Sequence, residues 1–291
     1  MNNYNKKWIF LFVLSIVWGS SYILIKKSLE GLTPLQVGSL RVVFTTLTLL
    51  LVGYSTIKKV PKKKWKWIIL TGYIGSFFPS FLFAFAQTEI DSGITAILNS
   101  LTPLATLVIG LCFFKLIIDK KQILGIIIGL IGSGLLVLES SSINPDQNYF
   151  FVGLILLAST FYAISLNMLK AHLQDVSPVA IALGNFLCIL PPSILVLFFS
   201  GFESVNFSNR QFQTSIIYVI ILSIVGSAFA KIIFNKLVQI SSPIFASSIT
   251  YTLPVVALMW GILDGEIMNV NQTLAALIIL LGVYLSNKKS N

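Results

Sequence analysis

The hydrophobic residues of this chain form long, almost uncharged runs that are separated by short polar segments. A helix needs about 20 apolar residues to cross the hydrocarbon core of a bilayer, and most of these runs approach or reach that length. The runs cover residues 8–25, 34–54, 65–86, 94–114, 123–138, 149–169, a stretch from about 178, 215–237, 244–263 and 273–285. The pattern predicts an all-α fold, a polytopic membrane protein of ten transmembrane helices that form a single transmembrane domain over residues 1–291.

Prolines interrupt the fourth and the ninth run, at Pro103 and Pro254. A proline has no N–H and displaces the carbonyl four residues earlier, which here belongs to Asn99 and to Thr250. Within a membrane, a freed carbonyl must face protein or a water-filled cavity. We therefore predict a structural role for both prolines and expect them to face one common cavity. The alternative is close helix packing, which also favours the Gly, Ser and Thr residues on these faces.

Composition agrees with a membrane protein and argues against other classes. Hydrophobic residues make up 56% of the chain and charged residues only 10%, whereas about 25% of a soluble domain is charged. The net charge of +10 does not indicate a nucleic-acid partner, because most lysines lie in short loops on one side of the predicted helices. Cys112, Cys188 and His172 form no catalytic or metal-binding set, so we predict neither an enzyme nor a cofactor.

The lysines also predict the orientation of the chain, since lysine-rich short loops stay in the cytoplasm. Six lysines lie between Lys58 and Lys66, and Lys288 and Lys289 follow the last run, whereas the segment 139–148 is acidic. We predict a multi-pass protein of the cell membrane with both termini in the cytoplasm. Because no small-x-small cleavage site follows the first run, the first helix is expected to be retained.

The two halves of the chain carry the same landmarks in the same order. Pro34 corresponds to Pro178, and Pro103 corresponds to Pro254. The predicted repeats cover about residues 8–139 and 149–287. Each half has five helices, an odd number, so the second half enters the membrane from the opposite side. Such inverted repeats are typical of secondary transporters, whose substrate site lies near the middle of the bilayer where irregular helices meet.

Several landmarks occur together in a known family. They are the segment Trp18-Gly19-Ser20-Ser21 with Lys26, Pro34 and Arg41, and the ending Glu266…Gln272…Gly282. This pattern resembles the EamA-type drug/metabolite transporters and covers nearly the whole chain. The resemblance implies a ten-helix importer or exporter of small metabolites, often amino acids, with a central cavity between the halves. The chain departs from the family pattern at Lys115, Phe161-Tyr162 and Asn185.

Two cations, Arg41 and Lys231, are placed within predicted spans, where each costs about 2.5–3.5 kcal/mol on insertion scales. Lys231 either extends toward the cytoplasmic end of its helix or contacts an anionic group in the cavity. For Arg41 we predict a structural role, bonded to backbone carbonyls at a helix end. No Asp or Glu lies within a predicted span. This disfavours a pump for lipophilic cations and favours a substrate that is zwitterionic or bears a carboxylate.

Together these patterns predict a secondary transporter of small polar metabolites, such as amino acids or related organic acids, that works by alternating access. Its partners would be the small-molecule substrate and the lipid bilayer, and the oligomeric state stays open. The expected substrate-binding residues are Trp18, Tyr22, Asn99, Thr102, Tyr162, Ser165, Lys231, Thr250 and Tyr251. One alternative is a multidrug exporter of the same fold. Another is a membrane receptor or assembly partner that transports nothing.

Overall fold

The computed structural model describes residues 3–114, 120–143, 148–205 and 207–287, and within these ranges the chain is helical with no β-strand. Lys115, Lys288 and Lys289, which entered the predictions above, lie outside the described residues. The α-helices are α1 (Asn3–Ser28), α2 (Pro34–Ile57), α3 (Trp65–Gly72), α4 (Phe78–Ala86), α5 (Ser92–Asn99), α6 (Thr102–Phe114), α7 (Lys120–Ile143), α8 (Val152–His172), α9 (Pro178–Phe199), α10 (Arg210–Ile221), α11 (Ala230–Ile240), α12 (Pro243–Ser247), α13 (Leu253–Leu263) and α14 (Val270–Asn287).

In the described part of the chain, eight helical stretches are long and apolar enough to cross a membrane. They are Asn5–Ser28, Pro34–Ile57, Lys62–Ala86, Ser92–Phe113, Tyr149–His172, Pro178–Phe199, Arg210–Ile240 and Phe245–Leu263. Two shorter apolar helices, Ile123–Glu139 and Val270–Gly282, coincide with the fifth and tenth predicted helices. The chain is therefore an all-helical, multi-pass membrane protein, and the count of ten crossings stays a prediction.

The two shorter apolar helices belong to α7 and α14, which pack against each other through glycines. A Cβ added at Gly282 would lie 2.7 Å from the carbonyl oxygen of Gly125, and one at Gly132 would lie 2.8 Å from the main-chain nitrogen of Ile279. Side chains at these positions would therefore hold the two backbones apart. Close backbone contact of this kind is how small residues drive helix association in membranes.

The proline interruptions predicted from the sequence are present. α5 ends at Asn99 and α6 begins at Thr102, so Pro103 occupies the second position of α6, where its missing N–H costs no helical bond. The carbonyl oxygen of Asn99 instead accepts a hydrogen bond from Thr102 Oγ1 at 2.7 Å. In the second half, a 3-10 segment, Ser248–Tyr251, separates α12 from α13, and Pro254 is the second residue of α13.

Two other helical stretches contain π-helical segments, in which a carbonyl accepts from the fifth residue along instead of the fourth. They are Tyr73–Phe77, between α3 and α4, and Leu222–Phe229, between α10 and α11. Pro79 accounts for the first, because it has no N–H to donate to the carbonyl of Gly75 four residues earlier. The main-chain oxygen of Gly75 is therefore free to accept a hydrogen bond from elsewhere in the molecule.

One end of the bundle, called here the Glu266 end, is held by a buried carboxylate. Glu266 pairs with Lys26 at 2.9 Å and accepts hydrogen bonds from the N–H groups of Ser92 (3.0 Å) and Gly93 (3.1 Å) at the start of α5. Asp264 pairs with Lys26 at 3.0 Å. Negative charge at a helix N-terminus is favourable because the first N–H groups have no helical partner. The ends of α1, α5 and α13 are thus joined.

The opposite end, called here the Lys64 end, is held by lysines that bind main-chain oxygens. Lys64 Nζ donates to the carbonyl of His172 at 2.7 Å and pairs with Asp175 at 2.6 Å. Lys170 Nζ donates to the carbonyl of Ser241 at 2.7 Å, just beyond the last residue of α11. A cation at a helix C-terminus satisfies carbonyls that have no helical partner. These contacts join the ends of α8 and α11 and the segment that precedes α3.

Candidate functional site

A cavity of about 120 Å³ lies between the helices of the two halves, bordered by both π segments and both proline interruptions. Eight of the nine residues expected to bind substrate line it: Trp18, Tyr22, Asn99, Thr102, Tyr162, Ser165, Lys231 and Thr250. Tyr251 does not line it, since its partly buried side chain packs against the hydrophobic core.

The two prolines themselves do not face this cavity, contrary to the expectation from the sequence. Pro103 and Pro254 are buried but are not among the lining residues. What faces the cavity is the residue whose carbonyl each proline displaces, Asn99 in one half and Thr250 in the other. The reason is the break in each helix: Asn99 ends α5 and Pro103 belongs to α6, and Thr250 belongs to the 3-10 segment and Pro254 to α13, so the members of each pair need not share a face.

Asn99 connects three helical stretches through its side chain. Its Nδ2 donates to the hydroxyl of Tyr22 at 2.7 Å, and its Oδ1 accepts from Ser159 Oγ at 2.9 Å. Thr102 Oγ1, which donates to the Asn99 carbonyl, also lies 3.0 Å from this Oδ1. Because the Tyr22 oxygen is already an acceptor, its own O–H is left to donate to a molecule in the cavity. Asn99 therefore positions Tyr22.

Lys231 lines the cavity, so its side chain is directed there and not only along its own helix. Its Nζ donates to the main-chain oxygen of Gly75 at 3.0 Å, the carbonyl that cannot accept from residue 79 because residue 79 is a proline. The ammonium group therefore has one neutral acceptor and faces the cavity with its other N–H groups.

Arg41 also lines the cavity, and this corrects its predicted place at a helix end. Its Nε donates to the hydroxyl of Ser227 at 2.7 Å, in the second π segment. The predicted carbonyl partners are replaced by this single hydroxyl. Among the described residues, no carboxylate pairs with Arg41 or with Lys231. The cavity therefore contains two cations and no acidic side chain.

Aromatic rings form a wall of the cavity. Phe83 lies between two tyrosines, with its centroid 6.0 Å from that of Tyr22 and 5.8 Å from that of Tyr162. Trp18 packs against Phe234 at 4.9 Å, and its Nε1 donates to the carbonyl of Gly226 at 2.9 Å. Trp18 thus offers a fixed apolar face, while the tyrosines offer hydroxyl groups.

The described residues contain no cluster of His, Cys, Asp or Glu that could hold a metal ion. What the cavity offers is a set of hydrogen-bond donors, from Arg41, Lys231 and the two tyrosines, on a partly apolar floor. Such a set can bind and orient a small solute with acceptor groups.

Sequence reasoning missed three groups of this site: the Gly75 carbonyl, Ser159 and Ser227. The first has a signal in the sequence, since Pro79 lies four residues after Gly75 within an apolar run. For Ser159 and Ser227 there is none, because each is one serine among many until the helices that carry their partners are placed beside them.

Comparison with known proteins places the fold in a broader context. The sequence pattern that defines the EamA-like transporter family matches this chain twice, at residues 6–138 and at residues 150–288. An uncharacterized transporter of Archaeoglobus fulgidus is 26% identical over 98% of this chain and 99% of its own. A probable amino-acid metabolite efflux pump of Salmonella typhimurium is 24% identical, covering 93% and 91% of the two chains. The uncharacterized inner membrane transporter YedA of Escherichia coli is 27% identical, covering 94% and 88%.

A solved crystal structure has a closely similar fold, with a TM-score of 0.69, 13% identity and coverage of 95% of this chain and 94% of the other. At this identity the likeness concerns the fold alone. The two family matches, by contrast, cover nearly the whole sequence. This chain therefore belongs to the EamA-like transporter family, whose members are transporters and not enzymes.

Proposed function

We propose that this protein is a secondary transporter that moves small polar metabolites, such as amino acids or related organic acids, across the cell membrane by alternating access. The cavity between the two halves is the substrate site. One observation carries the proposal: Arg41, Lys231, Tyr22 and Tyr162 line one cavity, and none of the residues that line it is acidic. Such donors suit a carboxylate-bearing solute, because charge-assisted hydrogen bonds are about twice as strong as neutral ones.

The size of the cavity favours a small solute over the alternative of a multidrug exporter. Pockets for drug-sized ligands measure about 300–1,000 Å³, whereas this cavity measures about 120 Å³. A transporter also accounts for the cavity better than a receptor or assembly partner does, since the polar groups lie inside the bundle. The name of the Salmonella relative, a probable amino-acid metabolite efflux pump, supports the same substrate range.

The proposed architecture is ten membrane helices in two inverted five-helix repeats, with both termini in the cytoplasm. The repeat is supported by the family model, which matches once in each half of the chain. The orientation is supported by the segregation of charges. Lys26, Asp264 and Glu266 meet at one end of the bundle. Lys64, from the lysine-rich segment predicted to be cytoplasmic, lies with Lys170 at the other end.

Transport can be tested with the purified protein in liposomes that contain no other protein. We expect saturable flux of at least one labelled amino acid or small organic acid, absent from protein-free liposomes. Tyr162→Phe should reduce that flux several-fold, because it removes a hydroxyl from the cavity. Tyr54→Phe, the same change on an exposed tyrosine of α2, is the control. The proposal would be contradicted if no amino acid and no small organic acid in a panel were transported, or if only lipophilic drugs were transported.

A further inference from the structure

The two cations of the cavity are held by neutral groups only. Arg41 is fixed through its Nε by the hydroxyl of Ser227, and Lys231 is fixed through its Nζ by the carbonyl of Gly75. The charges of both therefore stay uncompensated, since none of the residues that line the cavity is acidic. A charge withdrawn from bulk water is costly unless it is paired. The cavity thus favours a ligand that brings negative charge.

The two cations are also anchored separately. Arg41 projects from α2 to the π segment 222–229, whereas Lys231 projects from α11 to the other π segment, 73–77. Each cation therefore has its own neutral anchor and can take one anionic group of the same molecule.

We infer that the preferred ligand of this cavity is a small dicarboxylate dianion, one carboxylate for Arg41 and one for Lys231. The inference rests on the proposed transport function and narrows its substrate class. A zwitterionic amino acid fits less well, because its ammonium group finds two cations and no carboxylate. A neutral solute leaves both cations unpaired.

A ligand series that changes only charge tests the inference. Malonate, succinate and glutarate would first be compared by calorimetry on the full-length protein in detergent, and the tightest binder would then be compared with its half-amide and its diamide. Each lost carboxylate should weaken binding by about ten- to a hundredfold, a loss of about 1.4–2.8 kcal/mol. Equal binding of all three forms, or tighter binding of γ-aminobutyrate than of any dianion, would overturn the inference.

Variants assign each carboxylate to a cation. In Lys231→Gln the diacid should lose most of its advantage over the half-amide, because the second carboxylate no longer has a partner. Lys231→Arg should keep part of it, since the charge survives. Lys236→Gln makes the same change on the exposed face of the same helix, α11, and should bind like the wild type. An unchanged preference for the diacid over the half-amide in Lys231→Gln would exclude the pairing of a carboxylate with Lys231. Arg41→Gln tests the pairing of the other carboxylate with Arg41 in the same way.

Flux measurements separate the failure of this inference from the failure of the proposed function. If liposomes carry zwitterionic amino acids faster than dicarboxylates, the dianion assignment is wrong while transport stands. If neither class moves although the protein is folded, the proposed function itself is wrong. Inorganic phosphate is a control that carries its negative charges on a single group. Tighter binding of phosphate than of any diacid would also overturn the assignment.

Discussion

Individual prolines set the positions of polar groups around the cavity by removing one N–H each. Pro103 leaves the carbonyl of Asn99 to the hydroxyl of Thr102, and Pro79 leaves the carbonyl of Gly75 to Lys231. In a bilayer these oxygens would otherwise be unsatisfied, at a cost of several kcal/mol each. A single residue type therefore creates both the irregular backbone and an acceptor for a cationic side chain.

Gly75→Ala tests how tightly Lys231 is positioned. The added Cβ would collide with Ser165 Oγ, beside Lys231 Nζ, so we expect a loss of about 1–3 kcal/mol in stability and weaker binding of an anionic solute. The measurements are the thermal midpoint in detergent and the dissociation constant. Gly153→Ala, on α8, adds a Cβ where no other atom lies within 4 Å, and it should leave both values near those of the wild type. Equal behaviour of the two variants would contradict the tight packing.

At this scale the sequence predicted which residues line the cavity more reliably than which groups they contact. The prolines, the two buried cations and most cavity residues stand out in the sequence because polar or helix-breaking residues are rare in apolar runs. The contacts do not stand out in the sequence, because the partners are far apart along the chain. Arg41 contacts Ser227, which lies 186 positions later, and Lys231 contacts Gly75, which lies 156 positions earlier. Only packing of the two halves brings these groups together, which is why Arg41 was placed at a helix end and Tyr251 in the cavity.

Among the helices, α7 and α14 depend on a contact between glycines. Gly282→Ala would place a Cβ against the backbone of Gly125 and Gly129, so we expect a lower thermal midpoint and a loss of about 1–3 kcal/mol. Gly134→Ala is the matched control, because it lies on α7 with no atom within 4 Å of its added Cβ. A destabilisation of similar size in both variants would show that helix propensity, and not the crossing, is responsible.

The N-terminus of α5 depends on the charge of Glu266. Burial tends to raise the pKa of this carboxyl, but the hydrogen bond from Ser92, together with Lys26 and the N–H of Gly93, lowers it below its ordinary value of 4.5. Burial also tends to raise the pKa of Asp264, but its contacts with Lys27 and Lys26 outweigh burial and lower this pKa below its ordinary value. Because both pKa values are depressed in the folded state, the stabilisation is complete above the ordinary values and is lost as the pH falls through the lowered ones.

Acidification should therefore lower the thermal midpoint of the wild type below about pH 4 more than that of Glu266→Gln. The variant should be less stable at pH 7 and should change less with pH. Parallel pH profiles for the two proteins would show that Glu266 does not carry the acid sensitivity. Glu203→Gln, on an exposed carboxylate, is the control and should follow the wild type.

At the scale of the whole molecule, the orientation in the membrane can be tested with two exposed positions. Lys62 precedes α3 and Glu203 follows α9. Single cysteines at these sites, in a background without Cys112 and Cys188, should react with membrane-impermeant reagents from opposite sides, Lys62→Cys only from the cytoplasm. Labelling of both from outside the cell would contradict the proposed ten crossings and the orientation.

The absence of carboxylates from the membrane core has an electrical consequence. None of the eight spans in the described chain contains Asp or Glu, so these helices offer no acidic group to carry a proton along with the solute. A dianion that crosses alone moves two charges, each worth about 2.3 kcal/mol per 100 mV of membrane potential. Setting that potential with potassium and valinomycin should therefore accelerate or reverse dicarboxylate flux, while a flux indifferent to voltage would indicate exchange or a co-transported cation. In a cell with a negative interior, a membrane potential of about 100 mV would by itself expel a dianion against a concentration gradient of about three orders of magnitude.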